Sequence, residues 1–392
     1  MNSDLEKDIF LKGIPTAFIV SSPLQLLCAI EAIHEFEICK YKIVIVLPQD
    51  GPRNQQLFAM AATYMLEYDT VWNSSVSYND YKSGKGFFLQ KNKEQYDRIF
   101  IGDYQQVLLY YVAYKYSSPS CYYFYGDDGN DSISYFQNKS LDPDPTRINH
   151  KILHLLFDLG KREKGRIEVK KEMEGKGIIC TSSFFTSFYN ITNLSFNLYP
   201  NNFRYLSSLN TKKTEKVVLI IGAILNYIPV INHIRENCAV RLFKMKFIEV
   251  RKKYPNTKVI YIPHGRDTSI AIQELCMSLD IEYRKIPETI EGYLLKSNYN
   301  PIAIYGEGST ALYNLKLLYP ESLVVSWFFE KKFDNPKYKI VKRNADYYKD
   351  NGIEIDCIKY QITIFSYIRY CIANLYGILI LPFQIVKLIC QK

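Results

Sequence analysis

Several motifs that mark common protein classes are missing from this sequence of 392 residues. Its nine cysteines are scattered, without a CxxC pair or the spacing of a metal site, which favours reduced thiols in a cytosol over a disulfide framework. Neither the dinucleotide pattern G-x-G-x-x-G nor the phosphate loop G-x-x-x-x-G-K-[ST] occurs. No local motif indicates a serine or cysteine nucleophile. The sequence therefore argues against dinucleotide- and ATP-binding proteins.

The chain also lacks the features of a linker or a secretory leader. No Pro-, Gly- or Ser-rich stretch, low-complexity tract or internal repeat is present, so we expect the chain to fold throughout. Residues 1–13 lack the basic and apolar regions of a signal peptide. Because 392 residues exceed one ordinary core, two closely joined domains are expected.

The charge balance is basic, with a formal net charge of +9. This charge suits an anionic ligand or an anionic membrane surface without choosing between them. Basic residues alternate with acidic ones in 161–176, and no nucleic-acid-binding motif occurs, which argues against nucleic acid as a partner. Residues 370–386 carry no charge but include Pro382, and they are slightly short for a bilayer span. Two interpretations of this segment are open: a buried helix that closes the fold, and an anchor at the membrane interface.

Short β-branched and aromatic runs recur along the chain, separated by stretches long enough for helices. The runs are nearly continuously apolar, which is typical of strands buried on both faces of a parallel sheet. They are TAFIVSS (16–22), YKIVIVLP (41–48), RIFIGDY (98–104), CYYFYGDD (121–128), GIICTSS (177–183), EKVVLIIGA (215–223), KVIYIPHG (258–265), PIAIYGEGS (301–309) and SLVVSWF (322–328).

Two such series predict an α/β protein with two Rossmann-like domains that face each other across a cleft. The boundary is expected in the polar stretch 209–216, which gives a first domain of residues 1–212 and a second of 213–350. Residues 351–392 would form an apolar C-terminal tail.

Ligands of open parallel sheets bind beyond the carboxyl ends of the strands, so the residues that follow each predicted strand are the candidate site residues. In the first domain these residues are Ser21, Ser22, Asp103, Asp127 and Asp128. In the second domain they are Gly222, His264, Arg266 and 307–310.

Asp127 and Asp128 follow a strand and precede Gly129, whose missing Cβ permits a sharp turn. Adjacent aspartates in an extended chain point to opposite sides, so at most one of the two faces the cleft. This arrangement favours proton transfer over chelation of a metal such as Mg²⁺. A plain turn without catalytic function remains an alternative.

Two features of the second domain could bind a phosphate. His264 and Arg266 are hydrogen-bond donors two residues apart after a strand. Ser309 and Thr310 precede a predicted helix, whose N-terminus favours an anion. A structural histidine and a plain serine N-cap are the respective alternatives.

The motifs FYGDDGNDSI, VLIIGAILN, VIYIPHGRD, PETIEGYLL and AIYGEGSTALYNL, with the opening FIVSSPLQLLCAIEAI, resemble those of bacterial CMP-sialic acid-dependent sialyltransferases of glycosyltransferase family 52. The matches run from about residue 16 to 315, with long unmatched stretches between them. The resemblance implies a GT-B-like fold and transfer of sialic acid from CMP-sialic acid with inversion. It also implies that no metal and no cofactor take part.

The resemblance assigns roles to the candidates. It makes the first domain, with Ser21, Ser22 and Asp103, the acceptor side. Asp127 or Asp128 would take the proton of the acceptor hydroxyl there, and Asp127 is preferred. The other implied roles concern CMP: Gly222 for the cytidine, Glu291 for the ribose hydroxyls, and His264, Arg266, Ser309 and Thr310 for the phosphate. These groups would neutralise the charge that builds on the departing phosphate.

Two positions depart from the family pattern. His264 is followed by Gly265 where the family has proline. In the lipooligosaccharide branch an aspartate after the strand that matches LIIGAILN is credited as the base, and Leu225 takes its place here. One of the two aspartates of the GDDG motif would then have to be the base.

The sequence thus predicts a sialyltransferase that acts on capsule or lipopolysaccharide glycan, in the cytoplasm and peripheral to the inner face of the cell membrane. Its expected partners are the nucleotide-sugar donor, a glycan acceptor and the anionic membrane surface, with a homodimer as an option. The alternatives are a related GT-B enzyme that uses another nucleotide-activated sugar, and a non-catalytic glycan-binding component of envelope assembly.

Overall fold

The chain forms two parallel β-sheets, each flanked by helices. The computed structural model describes residues 12–47, 52–72, 94–103, 106–127, 129–136, 183–191, 197–209, 212–223, 229–265, 267, 269–330 and 338–359. The predicted site residues Asp128 and Arg266 lie outside the described residues, as do Leu225 and residues 360–392 of the predicted tail.

The first sheet has seven strands in the order β3-β2-β1-β4-β5-β6-β7. The strands are β1 (Thr16–Val20), β2 (Tyr41–Leu47), β3 (Tyr68–Trp72), β4 (Tyr96–Ile101), β5 (Ser117–Tyr125), β6 (Ser183–Thr186) and β7 (Asn197–Pro200). The helices between them are α1 (Pro23–Glu35), α2 (Pro52–Thr63), α3 (Val107–Tyr116), α4 (Asp131–Phe136) and α5 (Arg204–Ser208).

The second sheet has six strands in the order β10-β9-β8-β11-β12-β13. The strands are β8 (Glu215–Ile221), β9 (Lys258–Ile262), β10 (Glu282–Tyr283), β11 (Tyr299–Gly306), β12 (Leu323–Glu330) and β13 (Glu354–Lys359). Its helices are α6 (Pro229–Lys253), α7 (Ile270–Ser278), α8 (Ile290–Lys296), α9 (Thr310–Leu318) and α10 (Tyr338–Asp350).

Both sheets contain the strand order of a Rossmann fold, so the prediction of an α/β protein with two Rossmann-like domains is confirmed. All described pairings are parallel; β1, for example, pairs with β2 on one side and β4 on the other. The central strands are apolar because helices cover both of their faces. The order reverses beside β1 in the first sheet and beside β8 in the second, and these switch points are where open sheets bind ligands.

The strands that sequence patterns missed lie toward the sheet edges. β3 alternates between exposed and half-buried residues, and β10 has only two residues. β13 belongs to the second sheet, because it pairs with β12 from Val325↔Glu354 onward. The second domain therefore extends to Lys359, beyond the limit of residue 350 that the sequence suggested. Of the predicted strand 177–183, Ser183 begins β6 and the rest lies outside the described residues.

The connection between the two sheets is attached to α8. The Lys213 ammonium group donates to the carbonyl oxygens of Leu294 at 2.6 Å and Ser297 at 2.7 Å. It thus satisfies carbonyl groups that the end of the helix leaves without intrahelical partners. Burial lowers the pKa of Lys213 to about 8. Among the helices of the described residues, none combines the length and the apolar character needed to cross a bilayer.

Candidate functional site

Asp127 lies in a turn after β5, and we call the described residues of 126–130 the acidic turn. The turn begins where the Gly126 amide donates to the carbonyl of Ile101 at 2.9 Å, which holds it at the end of neighbouring strand β4. Gly129 has a φ of +77°, a conformation that other residues rarely adopt. The turn then leads into α4. Its position at the carboxyl end of β5 is the one that the sequence predicted.

Asp127 is buried within the first domain and accepts several hydrogen bonds. The Ser187 amide donates to Oδ2 at 2.7 Å and the Ser187 hydroxyl to the same oxygen at 3.0 Å. The Thr186 hydroxyl donates to Oδ1. Burial raises the pKa of Asp127 to about 6, although these hydrogen bonds act in the opposite direction and lower it. Asp127 therefore fixes the end of β6 to the acidic turn.

The acceptor-side candidates Ser21, Ser22 and Asp103 lie at the switch point of the first sheet, and all three are buried. Ser22 is the N-cap of α1, and its hydroxyl accepts from the Gln25 amide at 3.2 Å. The Ser21 amide donates to Gln25 Oε1 at 2.7 Å, and the Ser21 hydroxyl donates to Gln106 Oε1 at 3.3 Å. The two serines thus hold the turn between β1 and α1.

In the second domain, Gly222 and His264 follow the neighbouring strands β8 and β9. The Gly222 amide donates to the carbonyl of Ile262 at 2.8 Å, and a Cβ on Gly222 would lie 2.9 Å from the Cα of Pro263. Close packing within the domain thus explains this glycine. His264 is half-buried. Its carbonyl oxygen accepts a hydrogen bond from the Asp267 amide at 2.7 Å, which holds the turn.

The residues between β11 and α9 form a second turn, which we call the Ser309 turn (residues 306–310). Ser309 is the N-cap of α9, and its hydroxyl accepts from the Ala311 amide at 3.3 Å. Gly308 has a φ of +51°. Ser309 and Thr310 are half-buried at the N-terminus of the helix, as the sequence predicted.

The acidic turn and the Ser309 turn contact each other through Asn130. The Asn130 amide donates to Thr310 Oγ1 at 3.0 Å, and its side-chain nitrogen donates to the carbonyl of Gly308 at 2.6 Å. The Tyr348 hydroxyl, on α10, lies 2.5 Å from Asn130 Oδ1 and 2.9 Å from the Ser309 carbonyl oxygen. Asn130 is therefore a bridge between the domains. Its position directly after Asp-Asp-Gly is an indirect signal that sequence reasoning did not use.

A buried chain of polar side chains also crosses the domain interface. The Ser187 hydroxyl lies 3.4 Å from Asn314 Oδ1, and the Asn314 side-chain nitrogen donates to Glu291 Oε1 at 2.8 Å. Burial raises the pKa of Glu291, as it does for Asp127. Two buried carboxyl groups, one in each domain, are thus joined through Ser187 and Asn314. No local motif marks this pair, because Ser187 and Asn314 are 127 residues apart.

Other contacts hold the domains together around these turns. The ring of Phe188 stacks on that of Tyr313 with 4.8 Å between centroids, and the Tyr313 hydroxyl donates to the carbonyl of Ser187 at 3.1 Å. The Lys296 ammonium group, on α8, lies 4.6 Å from the ring centroid of Tyr64, which follows α2. Gly265 is close to Gln56 of α2, since a Cβ there would lie 3.0 Å from Gln56 Oε1. The turn after His264 thus faces the first domain.

Apart from Glu291, which lies in α8, the described candidate residues lie at the carboxyl ends of strands, but in different environments. It brings the acidic turn and the Ser309 turn into direct contact, and it turns the His264–Gly265 segment toward the first domain. Glu291 is buried against Asn314. Within the described part of the chain, no group of three or more His, Cys, Asp or Glu side chains could hold a metal ion.

Solved structures similar to this one include bacterial sialyltransferases. An α/β-galactoside α-2,3-sialyltransferase from Photobacterium phosphoreum has 11% sequence identity and a TM-score of 0.46, over 88% of this chain and 99% of that chain. The GT-B domain of a sialyltransferase from Photobacterium damselae has 9% identity and a TM-score of 0.41, over 88% and 99%.

A putative UDP-N-acetylglucosamine 2-epimerase from Listeria monocytogenes has 12% identity and a TM-score of 0.39, over 87% of this chain and 89% of that chain. No protein-family model and no curated protein sequence matches the chain.

Proposed function

We propose that this chain is an inverting, metal-independent sialyltransferase that moves sialic acid from CMP-sialic acid to a hydroxyl group of a surface glycan. The observation that carries the proposal is the contact between the acidic turn and the Ser309 turn, in which the Asn130 amide donates to Thr310 Oγ1 at 3.0 Å. The contact joins the acceptor-side and donor-side motifs, as direct transfer between two bound substrates requires.

The donor phosphate would bind at the start of α9. A helix N-terminus attracts an anion through its free amide groups and its dipole, and Ser309 and Thr310 add two hydroxyl groups there. His264, with Arg266, would stabilise the negative charge that grows on the CMP phosphate as the bond to sialic acid breaks. The turn around Gly222 would pack against the cytidine.

The proton of the acceptor hydroxyl would go to the acidic turn. Both carboxylate oxygens of Asp127 already accept hydrogen bonds from residues 186 and 187, so Asp127 is suited to holding the turn. We therefore assign proton removal to Asp128 and a positioning role to Asp127. A single displacement, with base and leaving group on opposite faces of the sugar, gives inversion.

Glu291 is the proposed ribose residue that needs the largest rearrangement. Its carboxyl group accepts a hydrogen bond from the side-chain nitrogen of Asn314 at 2.8 Å, so ribose hydroxyls would have to replace or extend this contact. The proposed reaction consumes only the nucleotide-sugar donor and a glycan acceptor. We place it in the cytoplasm, at the inner face of the cell membrane, where surface glycans are assembled.

The proposal is tested by incubating the purified chain with CMP-sialic acid and a β-galactoside and measuring the product by mass spectrometry. We expect a sialylated product that still forms in EDTA. We also expect His264→Ala and Asp128→Asn each to lower kcat by about 100-fold or more, the usual size of the effect for a group that moves a proton or stabilises developing charge.

Asp69→Asn is the matched control for Asp128→Asn, because Asp69 is an aspartate in a surface ion pair with Lys42. Such pairs contribute little, so this variant should keep full activity. Heat protection by CMP, but not by UDP or GDP, would support the donor class. Product from a UDP- or GDP-sugar alone would favour the related-enzyme alternative, and CMP binding without product would favour a binding component.

A further inference from the structure

The outward faces of α6 and α7 form a surface of basic and apolar side chains on the second domain. We call it the α6–α7 surface and define it by Arg241, Lys244, Met245, Lys252, Ile270 and Met277.

The orientation of α6 follows from its packing. Phe243, Phe247 and Val250 are buried against the second sheet, and the ring centroid of Phe243 lies 5.8 Å from that of Trp327 on β12. Helical periodicity turns residues 241, 244, 245 and 252 to the opposite face. The described side chains of this face are therefore directed away from the core.

Three large apolar side chains of this surface are exposed to solvent. The exposed fraction is 50% for Met245, 70% for Ile270 and 68% for Met277. Arg251 and Met277 line the same surface depression, which places the basic end of α6 beside Met277 of α7, whose exposed residues also include Glu274. Apolar side chains that cluster on a surface often mark a contact with a protein or a membrane.

The charge of α6 decides which partner fits. Residues 240–253 contain six basic side chains and one acidic side chain. Lys246 pairs with Glu249 and Asp356, and Arg251 pairs with Asp280. Arg241, Lys244 and Lys252 pair with no carboxylate of the described ranges, and they lie beside Met245. Cations beside exposed apolar side chains suit the interface of an anionic membrane.

We propose that the α6–α7 surface binds the surface of an anionic lipid bilayer, with Met245, Ile270 and Met277 entering the headgroup region. The basic side chains attract anionic headgroups, and burial of the apolar side chains adds a hydrophobic contribution. A nucleic acid would use the cations alone, so the exposed methionine and isoleucine side chains favour lipid. The inference does not depend on which sugar nucleotide the protein uses.

The test measures binding of the full chain to phosphatidylcholine vesicles that contain about 30% phosphatidylglycerol, by sedimentation. We expect binding that weakens with salt and is absent on pure phosphatidylcholine. A triple variant, Arg241→Gln, Lys244→Gln and Lys252→Gln, should bind roughly 100-fold more weakly, since each cation near an anionic surface contributes about fivefold. Met245→Ser with Ile270→Ser should lose about tenfold or more.

The matched control replaces three exposed lysines elsewhere, Lys216, Lys342 and Lys349, by glutamine. It removes the same charge and should bind as the unchanged protein does. Equal binding by the two triple variants would show that net charge or another segment causes it, and would overturn the proposal. Lack of vesicle binding by the unchanged protein would also overturn it. So would binding to heparin that equals binding to vesicles and is unaffected by the two serine substitutions.

Discussion

The two domains share a strand order but hold their candidate residues differently. In the first domain Ser21, Ser22, Asp103 and Asp127 are all buried, and Asp127 accepts hydrogen bonds from neighbouring β6. In the second domain the turns that contain His264 and Ser309 are half-buried. A change at the buried candidates of the first domain should therefore affect stability as well as function, whereas a change at the half-buried His264 of the second should affect mainly function.

The largest expected effect comes from removing the buried carboxylate. Asp127→Ala leaves the Thr186 hydroxyl and the amide and hydroxyl of Ser187 without their acceptor, and it leaves a cavity. We expect a loss of about 3–5 kcal/mol in the free energy of unfolding, because each unsatisfied buried group costs about 1–3 kcal/mol. Urea denaturation followed by circular dichroism measures it.

His264→Ala is the contrasting variant of the second domain. Because His264 is half-buried in a turn, we expect its free energy of unfolding to change by no more than about 0.5 kcal/mol. If Asp127→Ala were as stable as His264→Ala, the distinction between a structural first-domain site and an accessible second-domain site would be wrong.

The free energy of unfolding should depend on pH through two buried carboxyl groups of the first domain. Burial raises the pKa of Asp127 from 3.8 to about 6 and that of Glu31, also buried in the first domain, from 4.5 to about 7. Between those values the folded state binds more protons than the unfolded state, so these groups stabilise the fold at low pH and lose that contribution as pH rises. The loss runs from about pH 4 to about pH 7, with a flat region above it.

For Asp127 the pKa difference corresponds to about 3 kcal/mol. Asp127→Asn should therefore show a smaller decrease in unfolding free energy between pH 4 and pH 7 than the unchanged protein, and Glu31→Gln should show the same change independently. Lys349→Gln, an exposed change, serves as the control and should leave the slope as it is. Identical slopes for all four proteins would contradict the assignment of raised pKa values to the buried carboxyl groups.

The smallest expected effect distinguishes two asparagines that both bridge the domains. Asn130 donates to the carbonyl of Gly308 at 2.6 Å in a half-buried position, whereas Asn190 donates to Asn351 Oδ1 at 3.1 Å in an exposed one. We expect Asn130→Ala to cost about 1–2 kcal/mol and Asn190→Ala less than about 0.5 kcal/mol. Thermal unfolding of the two variants measures the difference. Equal shifts would mean that the contact at the acidic turn contributes no more than a surface hydrogen bond.

Sequence patterns predicted the central strands and the turns after them because buried parallel strands leave long apolar runs. They also predicted Ser309 at the start of α9, because a small polar residue before a helix is a local signal. Edge strands such as β13 were missed, because their charged, partly exposed residues break the apolar pattern. The Ser187–Asn314 contact could not be predicted, because it depends on how the two domains pack.

On one side of the domain interface Ser187 donates to the carboxyl group of Asp127, and on the other side Asn314 donates to that of Glu291. Each of these two side chains belongs to the same domain as the carboxyl group that it contacts, so moving the domains apart breaks only the 3.4 Å contact between the two neutral side chains. The carboxyl groups keep their own partners, and the interface can part at this point without moving a proton.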